Sequence, residues 1–277
     1  MMNNQENDTV SQEERFLFDL QGFLILRNVL SLEECGEYLE VIRGLESQTY
    51  EDKWMKSVGT GRPTLQTYRN SEYSLQHQLR LNGLPRLDSV FDQLIDQPKI
   101  LSYLYEFVGL PHLVNTWSIS KLRGAQDAGG WHGGVPPTDY SYRNDMIRSR
   151  MLNVVYFLTD NGPDDGCMVA LPGGHKSNID LAWNEYNGLQ LPGSVPVTGK
   201  AGDVFLFSET VLHEALPKTT DGVRSNLYYN YVHAHYNAMA REPNNCHHFY
   251  FPPEIRQRFN PKQLELTAWM EFARWEY

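Results

Sequence analysis

The stretch "RMLNVVYFLT" at residues 150–159 decides the fold class. It is dense in β-branched and aromatic residues and too short for a core helix. The turn-forming run "DNGPDDG" (160–166) closes it, which is the signature of a buried strand. The same pattern surrounds it. "LVNTWSISKL" (113–122) precedes it, and "CMVALP" (167–172), "GSVPVTG" (193–199), "DVFLFSE" (203–209) and "NLYYNYVHAHY" (226–236) follow, separated by Gly, Pro, Asp and Asn. At least six short strands without intervening helices predict an antiparallel sandwich or barrel.

Upstream the period changes. "EERFLFDLQGFLILRNV" reads as a short helix and then a strand starting near Gly22. In "LSLEECGEYLEVIRGL", Ser31 and Glu34 form a capping box, and Cys35, Tyr38, Leu39, Ile42 and Leu45 keep helical spacing. Residues 47–83 show no clean period and read as loops over a sheet. A helix carrying Leu87, Val90, Phe91, Leu94 and Ile95 comes next, and Pro98 opens another with Leu101, Leu104, Phe107 and Val108. The tail reads as a closing helix with Leu264, Leu266, Trp269 and Phe272. The expected organisation is a frayed, disordered N-terminus (1–12) and one domain (13–277), mainly β with packed helices.

The chain has 277 residues and 41% hydrophobic content, enough for a sizeable core. Its 24 basic and 34 acidic residues give a net charge of −10, which argues against nucleic acid or an anionic membrane as partner. No apolar run approaches the ~18 residues of a membrane span, and no secretory signal opens the chain. Cys35, Cys167 and Cys246 lack zinc-type spacing and give no disulfide framework. A cytoplasmic protein is expected.

Three polar residues are hard to explain as core. His132 lies among chain breakers in "GGWHGGVPP" (129–137), where it reads as the end of a strand. His213, in "FSETVLHEALPKT" (207–219), follows a strongly apolar strand, and Arg224 opens the next strand eleven residues later. Two histidines on facing strands with an arginine one strand away suit a non-haem iron site. Imidazole binds Fe(II), and a facial set of three protein ligands leaves room for co-substrate and O₂. A guanidinium pairs bidentately with the remote carboxylate of a 2-oxo diacid.

The ordered motifs resemble the phytanoyl-CoA dioxygenase family of Fe(II)/2-oxoglutarate-dependent oxygenases. "FLFDLQGFLILRNVLSLEEC" is similar to that family's opening element. "RMLNVVYFLTDNGPDDGCMVALPGGHKSN" resembles its central strand, acidic turn and Pro-Gly-x-His hairpin, and "GKAGDVFLFSETVLHEALPKTTDGVRSNLYYNY" its distal-histidine and arginine region. The likeness spans roughly residues 14–232. It implies a double-stranded β-helix (jelly-roll, cupin-like) core, with His132 and His213 as iron ligands and Arg224 gripping the C5 carboxylate of 2-oxoglutarate. Asn115 and Lys121, six residues apart, match positions that line the 2-oxoglutarate pocket in the family. His175 in the hairpin is expected to order it by hydrogen bonding.

One departure matters. The family's His-x-Asp motif here reads His132-Gly133-Gly134, so no side chain is available as third ligand. Iron halogenases of this superfamily have a similar replacement, with chloride in the vacancy and a ferryl species abstracting hydrogen from substrate. The leading expectation is therefore an Fe(II)-, 2-oxoglutarate-, O₂- and chloride-dependent halogenase of a small molecule, with halide at Gly134. The alternatives are a hydroxylase using water or a carboxylate from elsewhere, such as Asp139, and a non-catalytic 2-oxoglutarate or metabolite binder. Asn153 and Asn226 are candidate partners of halide or co-substrate. Trp131, Tyr140, Tyr142 and Arg143 are read as a lid beside the metal, and Arg62 and Tyr68 as residues reaching the same mouth.

Overall fold

The computed structural model describes residues 9–47, 77–126, 130–134, 136–178, 182–235 and 251–268. Helix α1 (Gln12–Gln21) starts under a capping box in which Ser11 accepts from the Glu14 amide. It stops at Gly22, whose φ of 85° is a left-handed C-cap. A Cβ there would also lie 2.5 Å from His175 Nδ1, so glycine is required twice over. Strand β1 (Phe23–Leu26) follows, then α2 (Leu32–Glu46), capped by the Ser31–Glu34 box that the sequence indicated. Cys35, Tyr38, Ile42 and Leu45 form its buried stripe.

Two expectations for the next segment need correction. Within residues 47–83, Gln78–Asn82 is a strand, β2, at the edge of the main sheet. Its period-2 pattern was hidden because only Leu79 and Leu81 are apolar, and the alternate Arg80 is held by stacking its guanidinium 4.6 Å from the Trp117 ring. The single helix expected through Leu87–Ile95 is instead broken in two. Short α3 (Leu84–Leu87) ends at Asp88, whose backbone is extended and whose side chain accepts from the Val90 amide to start a 3₁₀ turn (Ser89–Leu94). Helix α4 (Pro98–Phe107) then opens on its proline as expected.

The β region is built of β3 (Pro111–Lys121), the hairpin β4 (Tyr140–Arg143) and β5 (Met146–Ser149), β6 (Met151–Phe157), β7 (Met168–Ala170), β8 (Val195–Pro196), β9 (Val204–Ser208), β10 (His213–Ala215) and β11 (Arg224–His233). Six strands pair antiparallel in the order β1-β9-β6-β11-β3-β2, and β10-β7-β8 form a smaller sheet. Short α5 (Pro253–Arg256) and α6 (Pro261–Leu266) close the described chain. Trp269 and Phe272, expected in that closing helix, lie outside the described residues, as do residues 1–8.

Alternation along the strands separates two cores. Leu227, Tyr229 and Tyr231 of β11 face the helices and join Phe18, Tyr38, Phe91, Leu104 and Phe107. Tyr228, Val155, Phe205 and Phe207 face the other way and meet Met168 and Ala170 of the small sheet. The fold is therefore a jelly roll whose two sheets enclose an interior, with helices packed behind the larger sheet. Trp117 stacked on Tyr228 (centroids 5.0 Å apart) lies on the inner face.

Candidate active site

His132 does not end β3; residues 122–131 intervene, and it reaches the small sheet as an isolated bridge to His213. The pairing is reciprocal: His132 N donates to His213 O (3.0 Å) and His213 N to His132 O (2.9 Å). The two imidazoles therefore stand side by side, with centroids 4.3 Å apart. His132 Nδ1 donates to Gly130 O (2.7 Å) and His213 Nδ1 to Val211 O (2.8 Å). Spending Nδ1–H on a carbonyl puts the ring lone pair on Nε2, the tautomer a metal ligand needs. The donor chemistry fits a ferrous or similar divalent ion. No three described His, Cys, Asp or Glu side chains converge as a ready metal cluster.

The Gly134 position is not empty space. A Cβ built on Gly134 would lie 2.6 Å from both Cγ and Cδ of Glu209, closer than real atoms approach. Gly134 N donates to Glu209 O (3.0 Å), and Glu209 N to Met151 O (3.0 Å), so the glutamate backbone is pinned on both sides. Ser208 Oγ, bonded to Ser149 and Thr210, fixes the preceding residue. Burial with no compensating partner pushes the Glu209 carboxyl up to about 8. Glu209 is not among the residues that the sequence motifs single out. The available signal was strand period, since Phe205, Phe207 and Glu209 fall on one face if β9 is extended by a residue. Asp139, the carboxylate considered from sequence, is instead paired with Arg150 (3.4 Å).

From the histidines, β7 and β10 run toward a basic end. His213 pairs with Ala170. Three residues on, Leu216 O accepts from Lys121 Nζ (3.2 Å), and four residues before Ala170, Gly166 O accepts from Arg224 Nη2 (2.7 Å). At ~3.3 Å per strand residue this separates the two ends by roughly 10–13 Å. Arg224 and Lys121 are both 2% exposed, and Arg224 Nε has no acceptor among the described residues. Asn226 sits between Asn161 and Arg224: it lies 3.1 Å from Asn161 and, with its amide turned, accepts from Arg224 Nη1 at 3.1 Å. It buttresses the guanidinium and does not face the Gly134 position expected for a halide partner.

A row of amides lines the inner face nearest the histidines. Asn115, Asn230 and Asn153 are register partners across β3, β11 and β6, and Asn153 is opposite Phe207. The Phe207 ring touches His213 edge-on at 4.8 Å. The Oδ1 atoms of Asn115 and Asn230 are buried without a described donor, as expected of groups that face a ligand. Asn230 was not singled out from the sequence, although it is four residues along the same strand face from Asn226.

The expected lid is mostly framework. Trp131 is 2% exposed and packs with Val169 and Leu191. Tyr140 and Tyr142 belong to the β4–β5 hairpin. Tyr140 donates to Asp19 (2.6 Å) and packs edge-on against His175, while Tyr142 donates to its own hairpin's Asp145 (2.8 Å). Arg143 is exposed at the hairpin end. The strand pairing Tyr140↔Ser149 through Arg143↔Met146 replaces the loop read from sequence. Arg62 and Tyr68 lie outside the described residues. His175 donates from Nε2 to Asp19 O (3.1 Å), a hydrogen bond that ties its turn to α1.

The jelly roll thus carries two histidines at one end of its small sheet and a buried arginine at the other. The phytanoyl-CoA dioxygenase (PhyH) family profile matches residues 18–226, and the chain belongs to that family of Fe(II)/2-oxoglutarate-dependent oxygenases. It is 23% identical over 243 residues to the ectoine dioxygenase of Nocardia farcinica (strain IFM 10152), covering 79% of this chain and 76% of that one. Its fold is similar to that of HygX from Streptomyces hygroscopicus with nickel and 2-oxoglutarate bound (TM-score 0.66, 19% identity, 83% of this chain and 90% of the other). It is also similar to EctD from S. alaskensis with 2-oxoglutarate and 5-hydroxyectoine (TM-score 0.64, 18% identity, 82% and 78%). No helix among the described residues is long and apolar enough to cross a membrane.

Proposed function

We propose that this protein is a cytoplasmic Fe(II)/2-oxoglutarate-dependent hydroxylase of a polar small molecule. The observation that carries the reading is the His132–His213 pair, each Nδ1 spent on a carbonyl, with buried Arg224 at the far end of the same two strands. His132 and His213 would hold the iron. Arg224, braced by Asn226 and helped by Lys121, would hold the distal carboxylate of 2-oxoglutarate, and the strand span between the two ends suits a five-carbon diacid. Bound there, iron would supply, with O₂ and 2-oxoglutarate, the oxidising equivalents for C–H attack at the cost of converting 2-oxoglutarate to succinate and CO₂.

Hydroxylation is favoured over halogenation by one specific contact. The space that a halide would take beside Gly134 is occupied by the Glu209 carboxyl group, which a halide would have to displace. The amide oxygens of Asn115 and Asn230 would accept from hydroxyl or amine groups of substrate. Small polar ligands named with the similar structures, 5-hydroxyectoine for EctD and hygromycin B for HygX, agree with that chemistry.

The test is iron-dependent succinate release from 2-oxoglutarate, screened with polar metabolites and followed by mass spectrometry of the product. A gain of one oxygen is expected. Binding of 2-oxoglutarate without succinate release under any substrate would instead favour the non-catalytic binder.

A further inference from the structure

We propose that Glu209 is the third protein ligand of the metal, carrying to the distal-histidine segment the carboxylate that position 134 lacks. The inference rests on the reading of His132 and His213 as metal ligands and deepens it. Four observations converge on it.

The first is volume. Gly134 is two residues past His132, and a side chain at 134 would collide with Cγ and Cδ of Glu209. The acid therefore stands where a ligand grown from position 134 would begin. The second is anchoring: Gly134 N holds Glu209 O, Met151 O holds Glu209 N, and Ser208 is bonded to Ser149 and Thr210. The origin of the side chain is thus set relative to the His132–His213 bridge. Only its own torsions remain free.

The third observation is the missing partner. Glu209 is half-buried, and its carboxyl group meets no cation and no hydrogen-bond donor among the described residues. A divalent ion held by the two adjacent imidazoles would give it one. The fourth is reciprocity. In the pose shown, a side chain at 134 and the Glu209 carboxyl group would share one place, so the glycine leaves room for the glutamate. The three donors do not yet meet at one point; rotation of the flexible Glu209 side chain is the movement the proposal requires.

The test is anaerobic Ni(II) titration by calorimetry, with folding checked by circular dichroism. Wild type, Glu209→Gln and the exchange variant Glu209→Ala/Gly134→Asp are compared, nickel serving as a redox-silent probe. Glu209→Gln should weaken Ni(II) binding at least ~10-fold. The exchange variant should recover affinity to within a few-fold, because the new carboxylate at position 134 then has both the space and the role. A crystal structure of wild type with Ni(II) should place a Glu209 oxygen at ~2.0–2.2 Å from the metal, which keeps the test valid if a variant does not fold. Glu209→Gln binding within about twofold of wild type, or a nickel structure with water or chloride in that position and Glu209 turned away, would overturn the proposal alone. Failure of wild type to bind Ni(II) would instead remove the metal-site reading beneath it.

Discussion

Arg224 and Lys121 face each other in register across β11 and β3, both nearly fully buried, with their side chains directed to the ends of β7 and β10 through Gly166 O and Leu216 O. Two adjacent buried cations with an unsatisfied guanidinium Nε would form the anion seat of the proposed function. Arg224→Gln should weaken 2-oxoglutarate binding by roughly 10²–10³-fold, the cost of removing one partner of a buried charge pair. Lys121→Met should cost less, on the order of tenfold, because an ammonium does not supply the bidentate fork. Calorimetric titration of 2-oxoglutarate into the Ni(II)-loaded protein measures both.

The glutamate beside Gly134 makes a prediction about halide. Added chloride or bromide should leave 2-oxoglutarate affinity unchanged, and products should contain a new oxygen and no halogen. Gly134→Ala should push the Glu209 side chain off its present position, as a crystal structure of the variant would show, whereas an open halide pocket would accept alanine with no such displacement. Halogenated product, or chloride-tightened binding, would restore the halogenase reading.

His175 gives a pH signature separate from the metal. Burial, and then the neighbouring Lys176 charge, lower its pKa from the usual 6.5 to about 4. The unfolded chain therefore binds a proton that the native state refuses between those values. The associated stability is complete above about pH 6.5 and is lost as pH falls toward 4. At ~1.4 kcal/mol per tenfold change in proton affinity the loss is roughly 3 kcal/mol. Thermal melts from about pH 7 to about pH 4.5 should show the decline, and His175→Gln should flatten it.

Tyr140 supports the same corner, donating to Asp19 on α1. Tyr140→Phe should destabilise the fold by about 1 kcal/mol, the worth of one internal hydrogen bond, measured by urea denaturation.

Much of this architecture could be read from the sequence wherever local chemistry decides. The Ser31–Glu34 cap, the helix-to-strand change near Gly22 and the aromatic strands from "LVNTWSISKL" to "NLYYNYVHAHY" are local signals, and each has its element. His132, His213 and Arg224 were singled out by their order along the chain, and the bridge between the two histidines sets their rings side by side. What could not be read depends on contacts across the chain. Glu209 acquires its place only because the bridge His132↔His213 brings Gly134 against it. Tyr140 looked like a loop residue because its partner, Asp19, is 121 residues away. Strand β2 was masked by polar residues that an edge strand can expose.

An iron and 2-oxoglutarate centre at His132, His213 and Arg224 would show itself in the anaerobic visible spectrum of the protein titrated with Fe(II) and 2-oxoglutarate. A charge-transfer band that requires both additions, and is lost in His132→Ala, His213→Ala and Arg224→Gln, is the expected result. Absence of the band in wild type, or its persistence when either histidine is removed, would rule that centre out.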